Sequence, residues 1–446
     1  MLQFIIAQNV FLMMGTVSDA KALTANGNFE DIDGIVRDGT TNTMTDRTAG
    51  GNAMVYTATT SAGGVSDNHM TDYQNYENTI LNNRKGEGVY SHLEGGFVNR
   101  NPNYGRGINE AKIILIQVTG PNRTNMRAIT EIVGGTAALI IANSNGIDIA
   151  GASFMNTDKL TFVGGRTTLD ENGNLNKFDM SRQLGSSITI AGVNNNGVIS
   201  LGLDASNVQY VDIVSRSIEV VGEIQGNEDE DGELNLRMGN DKFDYGTKEI
   251  TSDDSLGAAT KPAFALDSSH IGGMYAGRIN LIATENGLGV RTRGTLVSNV
   301  SDINFDVAGD IEYEAIKSEG DINITSRKGD ITQGRYQDAG HISAAAATGD
   351  INIEAQDGSI KLSGQNSEFY LLDAQNLNIS ASEDLTIENG KAIARSGDII
   401  LTADQKLTLI DQELDSTLGN IVLTSNLGNI DIQSNLSASI ISAALN

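Results

Sequence analysis

One short unit recurs through the last third of this 446-residue chain: a glycine, a small polar residue, and then an apolar–polar–apolar triplet. Its clearest copies are residues 320–324, 349–353, 358–362, 397–401, 419–423 and 428–432. Related starts at Gly309, Gly329 and Gly340 indicate a period near 20 residues with two triplets in each period. A fixed period of this size predicts a stacked solenoid in which each coil contacts only its neighbours.

The residue types explain why such a unit would coil. In most triplets the two apolar side chains face one way and the polar side chain faces the other. We expect the Gly-Asp and Gly-Asn pairs to form corners, because glycine accepts positive φ and Asp or Asn bonds its own backbone. Such short strands cannot form an independent sheet. They must pair with equivalent strands about 4.8 Å above and below, and residues 301–446 have room for about seven coils.

Composition supports an all-β class and excludes several functions. Strand-period segments recur along the chain, and hardly any stretch shows a helical apolar stripe. The formal net charge of −27 argues against a nucleic-acid partner, which would require clustered Lys and Arg. The chain has no cysteine, which excludes a disulfide framework and a thiolate metal site. The chain has no run of 18 apolar residues, so the sequence predicts no membrane-spanning helix.

The two ends of the chain carry less regular signals. Residues 1–22 are interpreted as a signal-peptide remnant or a truncated start, because a mostly apolar run precedes a small-residue site at 20–22. No Lys or Arg precedes that run, so a first strand of the fold is the alternative. Residues 439–446 lack the polar capping repeat that an exposed solenoid end requires. We therefore expect a fragment, or the start of a longer protein.

The sequence signals for a metal site or a catalytic site are weak. Residues 227–232 begin like a calcium loop, but the twelfth position is Met238, so an acidic solvated loop is the better interpretation. The polar stretch 227–256 is predicted to leave the coil. The four histidines, His69, His92, His270 and His341, show no close spacing that would indicate a zinc site or a nucleophile–base pair. We predict no cofactor, no metal and no enzymatic activity.

Two asparagine motifs carry a family resemblance. Residues 101–104 read Asn-Pro-Asn-Tyr and residues 143–147 read Asn-Ser-Asn-Gly-Ile. In this order they resemble the Asn-Pro-Asn-Leu and Asn-Pro-Asn-Gly-Ile motifs of the secretion domain of two-partner secretion exoproteins. These exoproteins are of the filamentous-haemagglutinin type, which share the domain with contact-dependent growth-inhibition exoproteins. Ser144 stands in place of a proline and Tyr104 in place of a leucine, and Ile116-Gln117 replaces a frequent Asn-Glu pair.

The resemblance implies a fold and a division of the chain. The fold would be a right-handed parallel β-helix with a polar N-terminal capping region. Residues 23–255 would form the secretion domain, residues 256–300 junction coils, and residues 301–446 filament repeats that continue beyond the chain.

The resemblance also implies export through the periplasm and across the outer membrane of a Gram-negative-type bacterium. The partner would be an outer-membrane transporter whose periplasmic domains recognise the secretion domain. The residues implied in this recognition are Asn101, Pro102, Asn103, Asn143, Ser144, Asn145, Gly146 and Ile147.

The residues themselves leave the role of the asparagines and the final function open. Asparagine tolerates left-handed backbone and its amide both donates and accepts, so Asn143 and Asn145 suit either a braced corner or direct transporter contact. The leading function is the start of a secreted or surface adhesin that contacts host cells or neighbouring bacteria. One alternative is the delivery stalk of a contact-dependent toxin whose toxic C-terminus lies outside this chain. Another is a β-helical polysaccharide enzyme.

Overall fold

The computed structural model describes residues 32–180, 186–192, 194–195, 198–199, 201–248, 250–251, 261–334, 343–366 and 369–445. The predicted signal segment, His341 and the Gly340 start lie outside these residues. Within them the chain contains strands and no helix, and therefore no helix that could span a membrane. The all-β prediction is confirmed.

The strands are short, and most run for three to six residues before a corner. In chain order they are β1 (Ile35–Arg37), β2 (Met44–Arg47), β3 (Ala53–Tyr56), β4 (Val65–Asn75), β5 (Thr79–Asn83), β6 (Val89–Ser91), β7 (Gly96–Val98), β8 (Ile113–Val118), β9 (Thr124–Met126), β10 (Ile129–Gly134), β11 (Ala138–Asn143), β12 (Ile147–Ile149), β13 (Ala152–Met155), β14 (Lys159–Val163), β15 (Arg166–Leu169), β16 (Leu175–Asp179), β17 (Ser187–Ile190), β18 (Asn194–Asn195), β19 (Val198–Ile199), β20 (Leu203–Asp204), β21 (Tyr210–Ser215) and β22 (Ser217–Val220). They continue with β23 (Ile224–Gln225), β24 (Glu233–Met238), β25 (Lys242–Asp244), β26 (Ile250–Thr251), β27 (Phe264–Ser268), β28 (Met274–Ala276), β29 (Arg278–Ala283), β30 (Gly289–Ser298), β31 (Ile303–Val307), β32 (Ile311–Ser318), β33 (Ile322–Ser326), β34 (Ile331–Gln333), β35 (Ala344–Ala346), β36 (Ile351–Ala355), β37 (Ile360–Ser363), β38 (Tyr370–Ala374), β39 (Leu377–Ala381), β40 (Leu385–Ala394), β41 (Ile399–Ala403), β42 (Leu407–Ser425) and β43 (Ile430–Leu445).

Three parallel ladders make a three-sided β-helix. Ladder A begins β8-β11-β14-β21-β24-β29 and continues through β31, β33, β36, β39 and β41. Ladder B begins β9-β12-β17-β22-β27, and ladder C begins β5-β10-β13-β20-β23-β28. Strands β30, β32 and β40 bend from ladder B into ladder C, and β42 and β43 run through all three. The sequence pattern predicted two strands in each period, but the structure has three strand faces in each coil.

A single apolar core runs up the axis of the helix. Inward positions alternate with outward ones, as in β31, where Ile303, Phe305 and Val307 are buried and the residues between them are partly exposed. The core is continuous from Ile32 in the cap to Leu423 near the end. Stacking therefore gives each short strand the burial that it could not achieve alone.

The sequence repeat predicted coils of about 20 residues, but the length of a coil varies more than this. Stacked positions in ladder A lie 19 residues apart from Asn304 to Asn323 but 29 apart from Asn323 to Asn352. The glycine starts also occupy two different corners, because Gly349 stacks on Gly320 whereas Gly358 stacks on Gly329. Strand pairing fixes only the three faces, so the corners between them can differ in length.

The corner glycines are required by close stacking and not by positive φ. The left-handed glycines of the described chain do not include those that open the repeats. A Cβ on Gly349 would lie 2.4 Å from the carbonyl carbon of Gly320, and one on Gly419 would lie 2.2 Å from the carbonyl oxygen of Gly397. The expectation of positive φ is wrong here, because the glycines instead let successive backbones touch.

Where an aspartate follows a repeat glycine, its carboxylate accepts a hydrogen bond from the next coil, as at Asp321 and Asp350. Asp321 Oδ1 accepts the N–H of Asp350 at 2.9 Å, and Asp350 Oδ1 accepts the N–H of Asn376 at 3.0 Å. On the middle position of the triplets, Asn323 Nδ2 donates to Asn304 Oδ1 and Asn352 Nδ2 donates to Asn323 Oδ1, both at 2.9 Å. Both side-chain ladders run parallel to the axis and connect coils.

The N-terminal region caps the helix, as predicted. Strand β1 pairs antiparallel with β4, and β2 pairs antiparallel with β3, which in turn pairs parallel with β5. Ile32 and Ile35 enter the core at its end.

Two excursions leave the helix between ladders A and B. Strands β15-β16 and β25-β26 come from different coils and join in one antiparallel sheet. The predicted excursion at 227–256 is therefore wrong in part. Its residues Glu233–Met238 form strand β24 of ladder A, with Leu234 and Leu236 fully buried.

Candidate functional site

The first asparagine motif lies between the end of β5 and the start of β8. Asn101 is fully buried, and its Nδ2 donates to the carbonyls of Thr57 and Asn82, both at 2.8 Å. Its Oδ1 accepts the N–H of Asn103 at 2.9 Å. All the hydrogen-bonding groups of this amide are used, so the Asn101 side chain fixes a turn to the cap and to ladder C.

The exposed part of this turn is small. Pro102 is exposed at its tip, and Asn103 is half-buried with Nδ2 donating to the carbonyls of Asn42 and Thr57 at 2.8 and 2.9 Å. Tyr104 is buried behind it, and its hydroxyl bonds Asn83 Oδ1 at 2.8 Å. Burial raises the pKa of Tyr104 to about 12, so the phenol remains neutral while it supports the turn.

The second motif repeats this geometry at the end of β11. Asn143 is fully buried, and its Nδ2 donates to the Asn122 carbonyl at 2.9 Å and to Thr124 Oγ1 at 3.0 Å. Its Oδ1 accepts the N–H of Asn145 at 2.8 Å. The Asn145 side chain donates to the Gly120 carbonyl at 2.8 Å. In both motifs the first asparagine closes the turn and the second ties it to a neighbouring loop.

Gly146 and Ile147 complete the second turn. Gly146 has a φ of 102°, and a Cβ there would lie 2.5 Å from the backbone carbonyl oxygen of Ser187, so glycine is required by both conformation and space. Ile147 is fully buried and begins β12 of ladder B. Ser144 is almost fully buried, where the family motif has a proline.

A clamp that the sequence did not reveal holds the second turn in place. Arg123 Nε and Nη2 donate to both carboxylate oxygens of Asp148 at 2.9 and 2.6 Å. Arg123 Nη1 also donates to the Asn145 carbonyl at 3.0 Å, and Nη2 donates to the Ser187 carbonyl at 3.2 Å. A planar, bidentate guanidinium thus joins the motif to coils on both sides. A lone arginine in a polar loop gives no sequence signal for this role.

The second turn adjoins a cavity of about 250 Å³ whose lining includes Ser144, Gln117 and Thr167. Gln117 Oε1 accepts a bond from Thr167 Oγ1 at 2.6 Å, and Gln117 Nε2 donates to Asp67 Oδ1 at 2.9 Å. His69 Nε2 lies 3.1 Å from Asp67 Oδ2, and this hydrogen bond raises the pKa of His69. Gln117, which replaces an acidic residue of the family pattern, therefore bonds to the first excursion.

A hairpin projects from the helix just before the first motif. Strands β6 and β7 form a separate two-stranded sheet, on which Phe97 is 79% and Tyr90 49% exposed. The buried carboxylate of Glu131 in β10 accepts the Ser91 hydroxyl at 2.6 Å and the N–H of His92 at 2.9 Å. The hairpin is thereby fixed to ladder C while its aromatic rings face solvent. No pattern in the sequence predicts this surface.

The two asparagine turns do not meet in one pocket. The first lies where the chain passes from ladder C to ladder A, and the second where it passes from ladder A to ladder B. They are two braces at different corners of the first coils and not the two halves of a catalytic site.

The other sequence candidates do not assemble either. In the described part of the chain, no group of three or more His, Asp or Glu side chains could hold a metal ion. Residues 227–231 connect ladder C to ladder A, and Asn227 Oδ1 accepts the N–H of Asp229 at 2.7 Å. His270 pairs with Glu314 at 3.1 Å, far along the chain from either motif.

Known proteins with similar sequences point in one direction. The model of the TPS secretion domain matches residues 33–313. The 16S rRNA endonuclease CdiA of Enterobacter cloacae is 30% identical over 381 residues, which are 83% of this chain and 10% of that protein. Toxin CdiA of Yersinia pestis is 34% identical over 256 residues, 57% of this chain and 7% of that protein. The chain thus spans about a tenth or less of the length of these curated relatives.

A solved structure supports the fold assignment. The crystal structure of the filamentous hemagglutinin secretion domain superposes with a TM-score of 0.54 at 26% identity, over 73% of this chain and 97% of that one. The family match covers more than half of the chain, and both asparagine turns lie inside it. The chain therefore belongs to the TPS secretion domain family, the export domain of two-partner secretion exoproteins.

Proposed function

We propose that this chain is the export-targeting domain and first filament segment of a large exoprotein that an outer-membrane transporter recognises in the periplasm. The exoprotein would reach the surface or surroundings of a Gram-negative bacterium. Residues 23–255 would carry recognition, residues 256–300 would join the two parts, and residues 301–446 would form the filament. The observation that carries this proposal is the pair of asparagine turns, which are built from the same bonds despite Ser144 and Tyr104.

In this proposal the buried asparagines shape the recognised surface and do not touch the transporter. The side chains of Asn101 and Asn143 have no exposed area and no unused hydrogen-bonding group. The exposed surface near the first turn consists of Pro102, part of Asn103 and the hairpin rings Tyr90 and Phe97. Exposed aromatic side chains on a fixed scaffold are typical contact residues of protein interfaces.

Export in cells tests the targeting function directly. The chain would be produced with and without its partner transporter, and its appearance in the medium measured. We expect release only with the transporter, and a loss of release in an Asn143→Ala plus Asn145→Ala variant. The control is Asn172→Ala, at an exposed hairpin tip outside both turns. Equal release without the transporter would contradict the proposal.

A second pair of variants separates shaping from contact. Phe97→Ser and Tyr90→Ser remove exposed rings, so we expect an unchanged unfolding midpoint and weaker binding to the isolated periplasmic domains of the transporter. Asn143→Ala should lower both the unfolding midpoint and the affinity for the transporter domains, because it removes bonds that hold the turn. Full binding by the hairpin variants would place the contact elsewhere on the domain.

A toxin-delivery role is the second candidate, and its support is the similarity to relatives named as toxins and nucleases. In this case the whole protein would carry a compact, non-repetitive C-terminal domain with an adjacent immunity gene, and producing cells would inhibit neighbours that lack that gene. An adhesin would instead bind host or neighbouring cells without inhibiting them. A co-culture count with and without the immunity gene separates the two.

A further inference from the structure

A polar groove follows one corner of the last coils, far from both asparagine turns. It has a volume of about 680 Å³ and is lined by Gln365, Asn366, Asn389, Asp411, Gln412, Glu413, Gln433, Ser434 and Asn435. We call it the corner groove. Its size lies in the range of pockets that hold small organic ligands.

The corner groove is built by stacking, one segment from each of four successive coils. Gly364 N–H donates to the Glu388 carbonyl at 2.9 Å, which places residues 365–366 beside the coil of Asn389. Gly390 then pairs with Gln412, and Glu413 with Asn435. Three coil spacings give a length of about 14 Å along the axis. This length suits a short chain molecule lying parallel to the axis.

The backbone at the centre of the groove has an unusual conformation. Asn389 and Asp411 have φ of 57° and 48°, where the chain turns from ladder B to ladder C. Asparagine and aspartate are the side chains that tolerate this region best. The two residues are stacked 22 positions apart, so the same turn is repeated in both coils and gives the groove a regular wall.

Gln412 supplies an independent sign of a ligand. Its side chain is 2% exposed and lines the groove, and its Nε2 donates to the Gly390 carbonyl. Its Oε1 is buried and accepts no hydrogen bond from the residues that the structure describes. An unpaired buried acceptor is unfavourable, and a ligand donor would offset that cost.

The lining selects one ligand class. Six of its nine residues carry amide side chains, each of which can donate and accept, as sugar hydroxyls require. Among the described residues no Lys or Arg lines it, and Asp411 and Glu413 disfavour an anionic ligand. The lining that the structure describes contains no apolar side chain, which leaves the side chains of an ordinary peptide without a pocket. We propose that the corner groove binds a neutral oligosaccharide of two to three units.

The test uses the whole purified chain and does not depend on export. Maltotriose, cellotriose and chitotriose would be titrated by calorimetry and saturation-transfer NMR, alongside a hyaluronan tetrasaccharide and trilysine. We expect saturable binding of at least one neutral trisaccharide. Binding of hyaluronan or trilysine alone, or of none of the five, would overturn the proposal.

Variants then locate the binding. Gln433→Ala plus Asn435→Ala changes two exposed side chains, so we expect an unchanged unfolding midpoint and binding weakened by about tenfold or more. Gln412→Met keeps the side-chain length but removes the buried acceptor and should weaken binding similarly. Gln356→Ala, exposed and outside the groove, is the control. Equal affinity of the Gln433/Asn435 double variant and the control would show that the sugar binds elsewhere.

Discussion

The coils of residues 65–298 and those of residues 303–445 share one core but are held together differently. In the first region many corners are fixed by bonds that do not recur from coil to coil, such as the Arg123–Asp148 clamp and the buried Arg216–Glu285 pair, and the asparagine ladder begins only at Asn235. In the second region the same few bonds repeat from coil to coil, as between Asn304, Asn323 and Asn352. Unique bonds define a surface at one place, whereas repeated bonds define a rod.

This difference matches the roles proposed for the two regions. A recognition domain needs loops that differ from corner to corner and hold one shape, which the buried asparagines and the ion pairs of Arg123 and Arg216 provide. A filament needs each coil to accept the next, which a repeated ladder provides. The following experiments test whether bonds that occur once contribute more to the stability of the fold than bonds that are repeated.

The largest effect is expected at the Arg216–Glu285 pair, which spans the coil that carries the second excursion. Arg216 Nη2 lies 2.8 Å from Glu285 Oε1, and both side chains are buried. Arg216→Ala should lower the free energy of unfolding by about 3–5 kcal/mol, because it leaves a buried charge without its partner. Denaturant titration measures this.

The exposed Lys406–Asp431 pair in the repeats serves as the comparison. Lys406→Ala should leave the unfolding midpoint unchanged, because exposed ion pairs contribute little. Equal effects of the two variants would mean that burial does not set the contribution of an ion pair in this protein.

A smaller effect is expected from a methyl group at a repeat corner. Gly349→Ala places a Cβ against the Gly320 carbonyl carbon and should cost about 1–3 kcal/mol, because stacked backbones would have to separate. Gly96→Ala in the exposed hairpin, where a Cβ would meet nothing within 4 Å, should be nearly neutral. Thermal unfolding of both variants provides the measurement. A neutral Gly349→Ala would mean that the corners are looser than this stacking implies.

The asparagine ladder should respond in proportion to the bonds removed. Asn323→Ala removes two amide–amide bonds, whereas Asn378→Ala removes one, since Asn378 pairs with Ile400 on its other side. At about 1 kcal/mol per bond, we expect the first loss to be about twice the second. Equal losses measured by denaturant titration would argue that the ladder acts as one cooperative unit.

The smallest effect is a pH dependence near the second turn. The hydrogen bond to Asp67 raises the pKa of His69 above its ordinary value of 6.5, so protonated His69 stabilises the folded state. This contribution is full below pH 6.5 and is lost as the pH rises through the folded pKa. The unfolding midpoint should decrease as the pH rises from 6 to 8. His69→Gln should make this decrease smaller. An unchanged slope would assign the pH dependence to other groups.

The sequence by itself determined that this chain coils. The alternation of apolar and polar residues and the recurring glycines require short strands that must stack to be buried, and the two asparagine motifs indicated the family. Seven rungs of ladder A after residue 301 agree with the coil number predicted from the repeat.

Only the tertiary structure decided which coil each corner residue bonds. Asp321 reaches Asp350, Arg123 reaches Asp148 and Ser187, and Gln412 lies beneath a groove made by four coils. These partners are 22 to 64 residues apart, because a coil of variable length brings distant residues into contact. Local propensity fixes the strand and the corner, whereas the register of stacking fixes the partner.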